Sequence, residues 1–227
     1  MRAVLWDMDG TLVDSEKLWD VAINELYARR GRVLAPEVRD ATVGGSADGV
    51  IRIVFDDLGL DPDPGHMAEV ADWMHDYVGE LFTTGLPWCP GARELLDALL
   101  AAGMPMALVT NTRRDLTENA LNSIGRHYFS VTVCGDEVPE GKPAPDIYLR
   151  AAELLGFDAG DCLAIEDSVT GTAAAEAAGC PVLVVPNEVE VPVTARRHQI
   201  SSLAAMRIPQ LRQIYADLQL GLGERTA

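Results

Sequence analysis

Short apolar runs alternate with amphipathic stretches along much of the chain. Helical periodicity between the runs predicts helices over Ala92–Ala101, Asp115–Ile124, Pro145–Leu155 and Thr170–Ala178. Strands that alternate with helices are typical of βαβ units, so we predict an α/β fold with a Rossmann-like parallel sheet flanked by helices. The apolar, β-branched runs that predict buried strands are Ala3–Trp6, Met106–Val109, Val131–Cys134, Cys162–Ile165 and Val182–Val185.

One interval is too long for a single crossover, since about a hundred residues separate the first two strands and a βαβ unit needs only a few dozen. We expect an all-helical insertion there, so that residues 1–15 and 86–227 form the α/β core and residues 16–85 a small helical cap. A further amphipathic stretch, Met206–Leu220, is expected to pack on the core or on a partner subunit. The helical patterns inside the insertion cover Glu16–Arg30, Pro36–Val43, Asp48–Leu58 and His66–Phe82.

The composition limits the possible partners. The formal net charge of −17 argues against binding to nucleic acids or anionic membranes, because both require a basic surface. No apolar run approaches the length of about 18 residues that a membrane span needs. The first strand begins at Ala3, which leaves no room for a signal peptide, and the four cysteines are widely spaced. We therefore expect a cytoplasmic protein with buried thiols, without disulfides or a zinc site.

Two carboxylates follow the first strand. Asp7 and Asp9 lead into a Gly-Thr turn, and because side chains alternate along a strand they project to the same side. In an open α/β sheet, ligands bind beyond the carboxyl ends of the strands. Two like charges held so close repel each other, which favours a bound cation or a shared proton. The alternative is an ordinary loop start.

The second strand ends in further polar residues. Thr110 and Asn111 are candidates to donate hydrogen bonds to an oxyanion. The alternative is that this segment caps the next helix, a role that Thr112 also fits.

Two later segments add charge to the same predicted edge. Lys142 lies between Gly141 and Pro143, after the third strand. It is either a lysine that binds a negatively charged group or an ordinary surface lysine. The fourth strand ends in Glu166 and Asp167. Burying adjacent carboxylates is costly unless a partner compensates them, and Mg²⁺ prefers such oxygen ligands.

Taken in order, Asp7-Met8-Asp9-Gly10-Thr11, Thr110, Gly141-Lys142-Pro143 and Glu166-Asp167-Ser168 make the chain resemble the haloacid-dehalogenase-like superfamily over nearly its whole length. With Asp14-Ser15-Glu16 they suggest the branch of β-phosphoglucomutase and phosphoglycolate phosphatase.

The resemblance implies a role for each motif residue. Asp7 would be the nucleophile that forms an aspartyl-phosphate, and Asp9 the general acid and then the general base. Lys142 would offset charge between Asp7 and the phosphoryl group. Thr110 and the backbone of Asn111 would bind phosphoryl oxygens. Mg²⁺ would be held by the carboxylates of Asp7 and Asp167 and the carbonyl of Asp9, with Glu166 a direct or water-mediated partner.

The resemblance also ranks the possible activities. An acid at Asp9 indicates an oxygen leaving group, because halide departure needs no proton. Mutase-like members carry Gly-x-Ser-Arg in the cap, whereas this chain has Ala47 after Ser46, which removes a bidentate phosphate grip that nearby Arg52 is not obviously placed to replace. We therefore expect a phosphatase for a small phosphorylated metabolite. The alternatives are a sugar phosphomutase and a non-catalytic phosphate-binding module.

The cap is expected to set substrate choice, with Gly45 and Ser46 as candidate substrate contacts or simply part of a turn between helices. The chain is expected to be a monomer or a homodimer.

Overall fold

The computed structural model describes residues 1–42, 47–83, 85–187, 190–194 and 196–223. The chain forms two compact units, one made of Met1–Asp14 with Pro87–Ala227 and the other of Ser15–Leu86.

The larger unit contains a six-stranded parallel sheet. In chain order its strands are β1 (Ala3–Trp6), β2 (Met106–Thr110), β3 (Val131–Cys134), β4 (Cys162–Glu166), β5 (Val182–Val184) and β6 (Arg197–Gln199). Across the sheet the order is β3-β2-β1-β4-β5-β6. The predicted fold class is therefore confirmed.

The smaller unit consists of helices. The larger unit has its own helices, which flank its sheet. The smaller unit contains α1 (Glu16–Ala28), α2 (Pro36–Thr42), α3 (Ala47–Leu58) and α4 (Pro64–Thr83). The larger unit contains α5 (Ala92–Ala101), α6 (Arg114–Ile124), α7 (Asp146–Leu155), α8 (Val169–Ala177) and α9 (Ile208–Gly223).

The sheet differs from the sequence prediction at four strands. β5 ends at Val184, one residue earlier than predicted. β2 and β4 each extend one residue further than predicted, so Thr110 and Glu166 are the last residues of their strands. β6 has no counterpart in the prediction. Its three residues are polar and lie at the edge of the sheet, where no second covered face demands apolar side chains.

The order of the strands places one crevice at the centre of the sheet. From β1 the chain moves outwards to β2 and β3, and it then crosses to β4 on the other side of β1. Ligands bind outside the carboxyl ends of the strands at such a reversal. Because β1 and β4 are neighbouring parallel strands, the residues that follow them emerge side by side.

One face of the sheet is covered by α7 and α8, since Leu5 and Val109 belong to the same buried cluster as Tyr148 and Ala174.

The structure also bears on the predictions about membrane-spanning helices and about the cysteines. In the described part of the chain, no helix combines the length and the apolar character that crossing a bilayer requires. All four cysteines are free thiols; Cys134, Cys162 and Cys180 are buried, and Cys89 is half-buried.

Candidate active site

The carboxyl edge of the sheet gathers the charged motif residues. Asp7 directly follows β1, Glu166 ends β4 and Asp167 follows it. Lys142 lies between β3 and α7, and its ammonium group reaches two of these carboxylates. The Nζ atom is 2.5 Å from Asp7 Oδ1 and 2.6 Å from Glu166 Oε1. Although burial opposes its charge, Asp7 and Glu166 raise the pKa of Lys142 above its ordinary value. The ammonium group is therefore held in its charged form.

The backbone of Lys142 is held by the side chain of Asn111. The amide Nδ2 of Asn111 donates to the carbonyl of Lys142 at 3.0 Å, and Oδ1 accepts from the N–H of Lys142 at 2.7 Å. A Cβ on Gly141 would lie 2.7 Å from Asn111 Oδ1, closer than real Cβ contacts come, so only glycine leaves room for this amide. The side-chain amide of Asn111, a candidate donor to an oxyanion, therefore donates to the backbone of Lys142 in the structure.

Glu166 is fully buried and both of its carboxylate oxygens accept hydrogen bonds. Besides Lys142, Oε1 accepts from the hydroxyl of Tyr148 at 2.5 Å, and Oε2 accepts from Ser168 Oγ at 3.2 Å. Ser168 is also the N-cap of α8, where its Oγ accepts from the N–H of Gly171. A Cβ at Gly171 would collide with both Glu166 oxygens. These contacts fix the carboxylate that orients Lys142.

Two threonine hydroxyls hold the carboxylate of Asp9. Oδ2 of Asp9 accepts from Thr110 Oγ1 at 3.1 Å and from Thr112 Oγ1 at 2.7 Å. The alternative that this segment caps α6 is wrong, because the N-cap is Arg113 and its side chain makes no capping bond. The N–H of Arg114 is instead accepted by Asp136 Oδ1 at 3.0 Å.

Three carboxylates form a cluster that could hold a metal ion. Asp7, Glu166 and Asp167 each offer an oxygen atom, and these atoms lie within 4.8 Å of one another. Oδ2 of Asp7 is buried and has no hydrogen-bond partner. A buried carboxylate oxygen without a partner is costly, and a cation would satisfy it. Asp167 is packed against Gly10, where a Cβ would collide with its carboxylate.

The protonation equilibria of the cluster indicate an excess of negative charge. Burial raises the pKa of Asp7 to about 7, against the opposing effect of Lys142. Burial, together with the charges of Asp7 and Glu166, raises the pKa of Asp167 to about 9. One lysine therefore does not balance the acidic groups. A hard divalent cation fits this donor set, because all the donors are oxygens.

The two candidate substrate contacts in the predicted cap, Gly45 and Ser46, lie outside the described residues. Arg52 is on α3 in the smaller unit, and its side chain is exposed.

Four contributors to the site were not predicted from the sequence: Tyr148, the hydroxyl of Thr112, the hydroxyl of Ser168 and the absent side chain of Gly171. Tyr148 lies on the buried face of α7, where a tyrosine is indistinguishable by pattern from any large core residue. Thr112 and Ser168 are each two residues beyond a strand-end motif residue. That spacing was a signal that could have indicated them.

The chain is similar to known proteins over most of its length. A family model described as haloacid dehalogenase-like hydrolase matches residues 1–179. Protein CbbY of Rhodobacter capsulatus is 33% identical over 219 residues, which cover 93% of this chain and 94% of that protein. Phosphoglycolate phosphatase of Thiobacillus denitrificans is 32% identical over 189 residues, covering 82% of this chain and 83% of that protein.

A similar solved structure is that of a mutant of CbbY from Rhodobacter sphaeroides in complex with xylulose-(1,5)bisphosphate. Its TM-score is 0.77 at 29% sequence identity, with 91% of this chain and 96% of that chain covered.

Proposed function

Because the chain belongs to the haloacid dehalogenase-like hydrolases, in the branch of CbbY and phosphoglycolate phosphatase, we propose that it is a Mg²⁺-dependent phosphatase that hydrolyses a small sugar phosphate through an aspartyl-phosphate. The observation that carries this proposal is the contact between Lys142 Nζ and Asp7 Oδ1 beside the unpartnered Asp7 Oδ2. Such a carboxylate is held in place and still has an oxygen to offer to a ligand.

Lys142 serves the attack of Asp7 on phosphorus. A carboxylate and a phosphate dianion repel each other by on the order of 4 kcal/mol per pair of unit charges at close range near a protein surface. Lys142 contacts Asp7 and so reduces this repulsion before the two groups meet. Phosphoryl transfer asks a protein mainly for positioning and charge stabilisation, and this pair supplies both.

Asp9 takes part in the proton transfer of both steps of the proposed reaction, as the donor in the first and the acceptor in the second. In the first step, a bond forms between an Asp7 oxygen and phosphorus, the bond from phosphorus to the leaving oxygen breaks, and that oxygen takes a proton from Asp9. In the second step, water attacks phosphorus and gives a proton back to Asp9. The bond to Asp7 breaks, its electron pair returns to the carboxylate, and phosphate is released.

Asp7, Asp167 and the backbone carbonyl of Asp9 would hold Mg²⁺. The cluster distances and the unpartnered Asp7 Oδ2 support the two carboxylates, and the carbonyl is included because the family resemblance implies it. A bound Mg²⁺ would neutralise charge that accumulates on the phosphoryl oxygens. Glu166 already accepts bonds from three side chains, which favours a role in orienting Lys142 or a water-mediated one at the metal.

Relatives and charge guide the choice of substrate. The complex of CbbY with xylulose-(1,5)bisphosphate makes pentulose bisphosphates the first candidates, followed by phosphoglycolate. The net charge of −17 slows the approach of large polyanions and so favours small metabolites over nucleic acids. A cytoplasmic location belongs to the proposal and is supported by the four free cysteines.

The test is phosphate release from xylulose 1,5-bisphosphate, 2-phosphoglycolate, pseudouridine 5′-phosphate, FMN and hexitol phosphates, with Mg²⁺ or with EDTA. We expect Mg²⁺-dependent release that Asp7→Asn abolishes. Asp217→Asn, which changes an exposed aspartate on α9, is the matched control and should leave release unchanged. Release that persists in Asp7→Asn would contradict the proposed nucleophile.

A second assay, with β-glucose 1-phosphate as the substrate, distinguishes the alternative activities. A phosphomutase would convert β-glucose 1-phosphate into glucose 6-phosphate without releasing phosphate, and a binding module would turn over nothing. The phosphatase is favoured because Ala47 occupies the position at which mutase-like members carry arginine.

A further inference from the structure

The segment that carries Lys142 has few backbone donors of its own. Residues 142–145 read Lys-Pro-Ala-Pro, and proline has no N–H group. Of the two N–H groups that remain, that of Ala144 donates to the carbonyl of Gly141 at 2.9 Å, within the same loop. The N–H of Lys142 donates to Asn111 Oδ1 at 2.7 Å, and the carbonyl of Lys142 accepts from Asn111 Nδ2 at 3.0 Å. One side-chain amide therefore fixes both polar groups of the Lys142 backbone.

Gly141 gives independent evidence that this amide must lie where it does. The three atoms nearest to a Cβ built at Gly141 all belong to the side chain of Asn111, with Oδ1 at 2.7 Å. The φ angle of Gly141 lies outside the left-handed region, so the backbone itself would accept alanine. Glycine is thus required at this position by the amide of Asn111.

The backbone of Asn111 is a firm base for its side chain. Asn111 directly follows β2, and the preceding residue, Thr110, is paired with Cys134 of β3. A Cβ at Gly135 would lie 2.5 Å from the carbonyl oxygen of Asn111, so the chain after β3 lies directly against Asn111. The amide therefore transmits the position of the sheet to the loop of Lys142.

The position of that loop decides where the ammonium group lies. Lys142 Nζ is 2.5 Å from Asp7 Oδ1 and 2.6 Å from Glu166 Oε1, and its side chain is buried. Hydrogen bonds weaken steeply when the donor moves away from its preferred distance and angle. A backbone shift at Lys142 would therefore weaken the contact with Asp7.

We propose that Asn111 is a positioning residue for Lys142, and that its side-chain amide holds the lysine backbone where the ammonium group reaches Asp7. The inference rests on the proposed phosphatase activity and adds a role to the one that the family resemblance implies for the backbone of Asn111. The amide acts on turnover by way of Lys142, so its effect depends on the presence of the lysine side chain.

The experiment is a double-mutant cycle of Asn111→Ala and Lys142→Ala, which measures kcat for the phosphate ester that the wild type hydrolyses fastest. Enzyme concentrations are raised for the slow variants. With Lys142 present, Asn111→Ala should lower kcat by roughly ten- to a hundredfold, because a small misplacement of a group at the reacting atoms is that costly. With Lys142→Ala, the same change should lower kcat by less than about twofold, since the group that it positions is gone.

Asn24→Ala is the matched control for the change at Asn111. It removes an asparagine amide that donates to a backbone carbonyl, that of Asp20, at 2.8 Å on α1. We expect it to leave kcat unchanged.

Gly141→Ala breaks the same contact without altering Asn111. The added methyl group should displace the amide and lower kcat about as much as Asn111→Ala does, and the two changes together should lower it little further. Gly160→Ala is the control, since a Cβ there meets the carbonyl of Gly179 at an ordinary 3.8 Å. If Asn111→Ala does not fold, Gly141→Ala takes its place in the cycle with Lys142→Ala.

Equal fold losses with and without the lysine side chain would overturn the proposal, because a merely structural role of Asn111 lowers both rates. An unchanged kcat in Asn111→Ala would overturn it as well. Failure of the proposed function looks different, since the wild type would then release no phosphate in a manner that depends on Asp7.

Discussion

Lys142 is the residue on which the charge balance of the site depends. It is one of only two lysines in the chain, its side chain is 4% exposed, and it contacts both Asp7 and Glu166. Removing one member of a buried charge cluster leaves its partners uncompensated, which is more damaging than losing a surface ion pair. An uncharged side chain at this position would leave the carboxylates of Asp7 and Glu166 without a positive partner when the phosphate group of the substrate approaches.

Lys142→Ala should lower kcat by about 10²- to 10³-fold, the usual loss when one preorganised charge at a reacting group is removed. Lys17→Ala, which changes the only other lysine, an exposed one, is the control. Steady-state phosphate release, with circular dichroism to verify folding, makes the measurement. A turnover close to that of the wild type would refute the placement of Lys142 at the reacting group.

Tyr148→Phe separates the hydroxyl of Tyr148 from its ring. The ring lies 5.4 Å from Lys142 Nζ and is retained, whereas the bond to Glu166 is lost. A hydrogen bond to a charged group contributes about 1.5 kcal/mol or more, so we expect kcat to fall about tenfold with little change in KM.

Tyr215→Phe is the matched control for this prediction. It removes a tyrosine hydroxyl that donates to the carbonyl of Gly160 at 3.0 Å, outside the site. It should lower stability without lowering kcat. Equal kcat values for the two variants would show that Tyr148 acts only through packing.

Among the secondary-structure elements, the start of α6 is joined to β3 by hydrogen bonds from Arg114. Its guanidinium group donates to Glu137 Oε2 at 2.6 Å and to the carbonyl of Thr132 at 2.9 Å. The hydrogen bond from Arg114 lowers the pKa of Glu137, although burial opposes this effect. The segment held in this way follows Thr112, so the pair helps to position the threonine hydroxyl groups that donate to Asp9.

This pair should make stability depend on pH in acid. Since the pKa of Glu137 is lower in the folded state, its contribution is present above the ordinary glutamate pKa of about 4.3 and is lost as the pH falls through the folded value. Both side chains are partly exposed, at 27% and 39%, which limits the contribution to roughly 0.5 kcal/mol.

Urea unfolding of the wild type and of Glu137→Gln measures the effect. The difference in the free energy of unfolding should be largest at neutral pH and should shrink toward zero below the folded pKa of Glu137. Glu153→Gln, at an exposed pair with Arg150, should show a smaller difference. A difference that grows in acid would contradict the assigned direction of the pKa shift.

Element prediction from the sequence succeeded where burial imposes a pattern. β1 has the predicted bounds, because a strand covered on both faces must be apolar throughout. β3 also has the predicted bounds, although Val131 and Thr132 are only half-buried. The same rule explains why β6 was missed, since its residues Arg197, His198 and Gln199 carry no apolar signal. The ends of β2 and β4 were placed one residue short because Thr110 and Glu166 are polar but still paired within the sheet.

At the scale of the whole molecule, negative charge dominates. The chain carries a net charge of −17, and the buried acidic cluster adds local repulsion that a single lysine does not balance. A ligand that binds only the folded state stabilises it by mass action. Binding of Mg²⁺ at this cluster should therefore be measurable without any turnover.

Adding Mg²⁺ at about 100 times its Kd should stabilise the wild type by about 2.7 kcal/mol, seen as a rise in the midpoint of thermal unfolding. Asp167→Asn should lose most of this rise. Sodium chloride at matched ionic strength is the control, because screening of the net charge should affect both proteins equally. Equal Mg²⁺ effects on the two proteins would exclude Asp167 as a ligand.

The pattern of residue types along the chain was enough to predict the fold class and the order of the polar motifs at the strand ends. It could do so because the carboxyl ends of parallel strands meet at one edge, so linear order becomes spatial proximity. Which donor is paired with which acceptor becomes visible only in the folded chain. Thr112 and Asp9 are 103 residues apart, and Tyr148 reaches Glu166 from another element. A hydrogen bond depends on distances within tenths of an ångström, which packing sets and which a pattern of residue types does not contain.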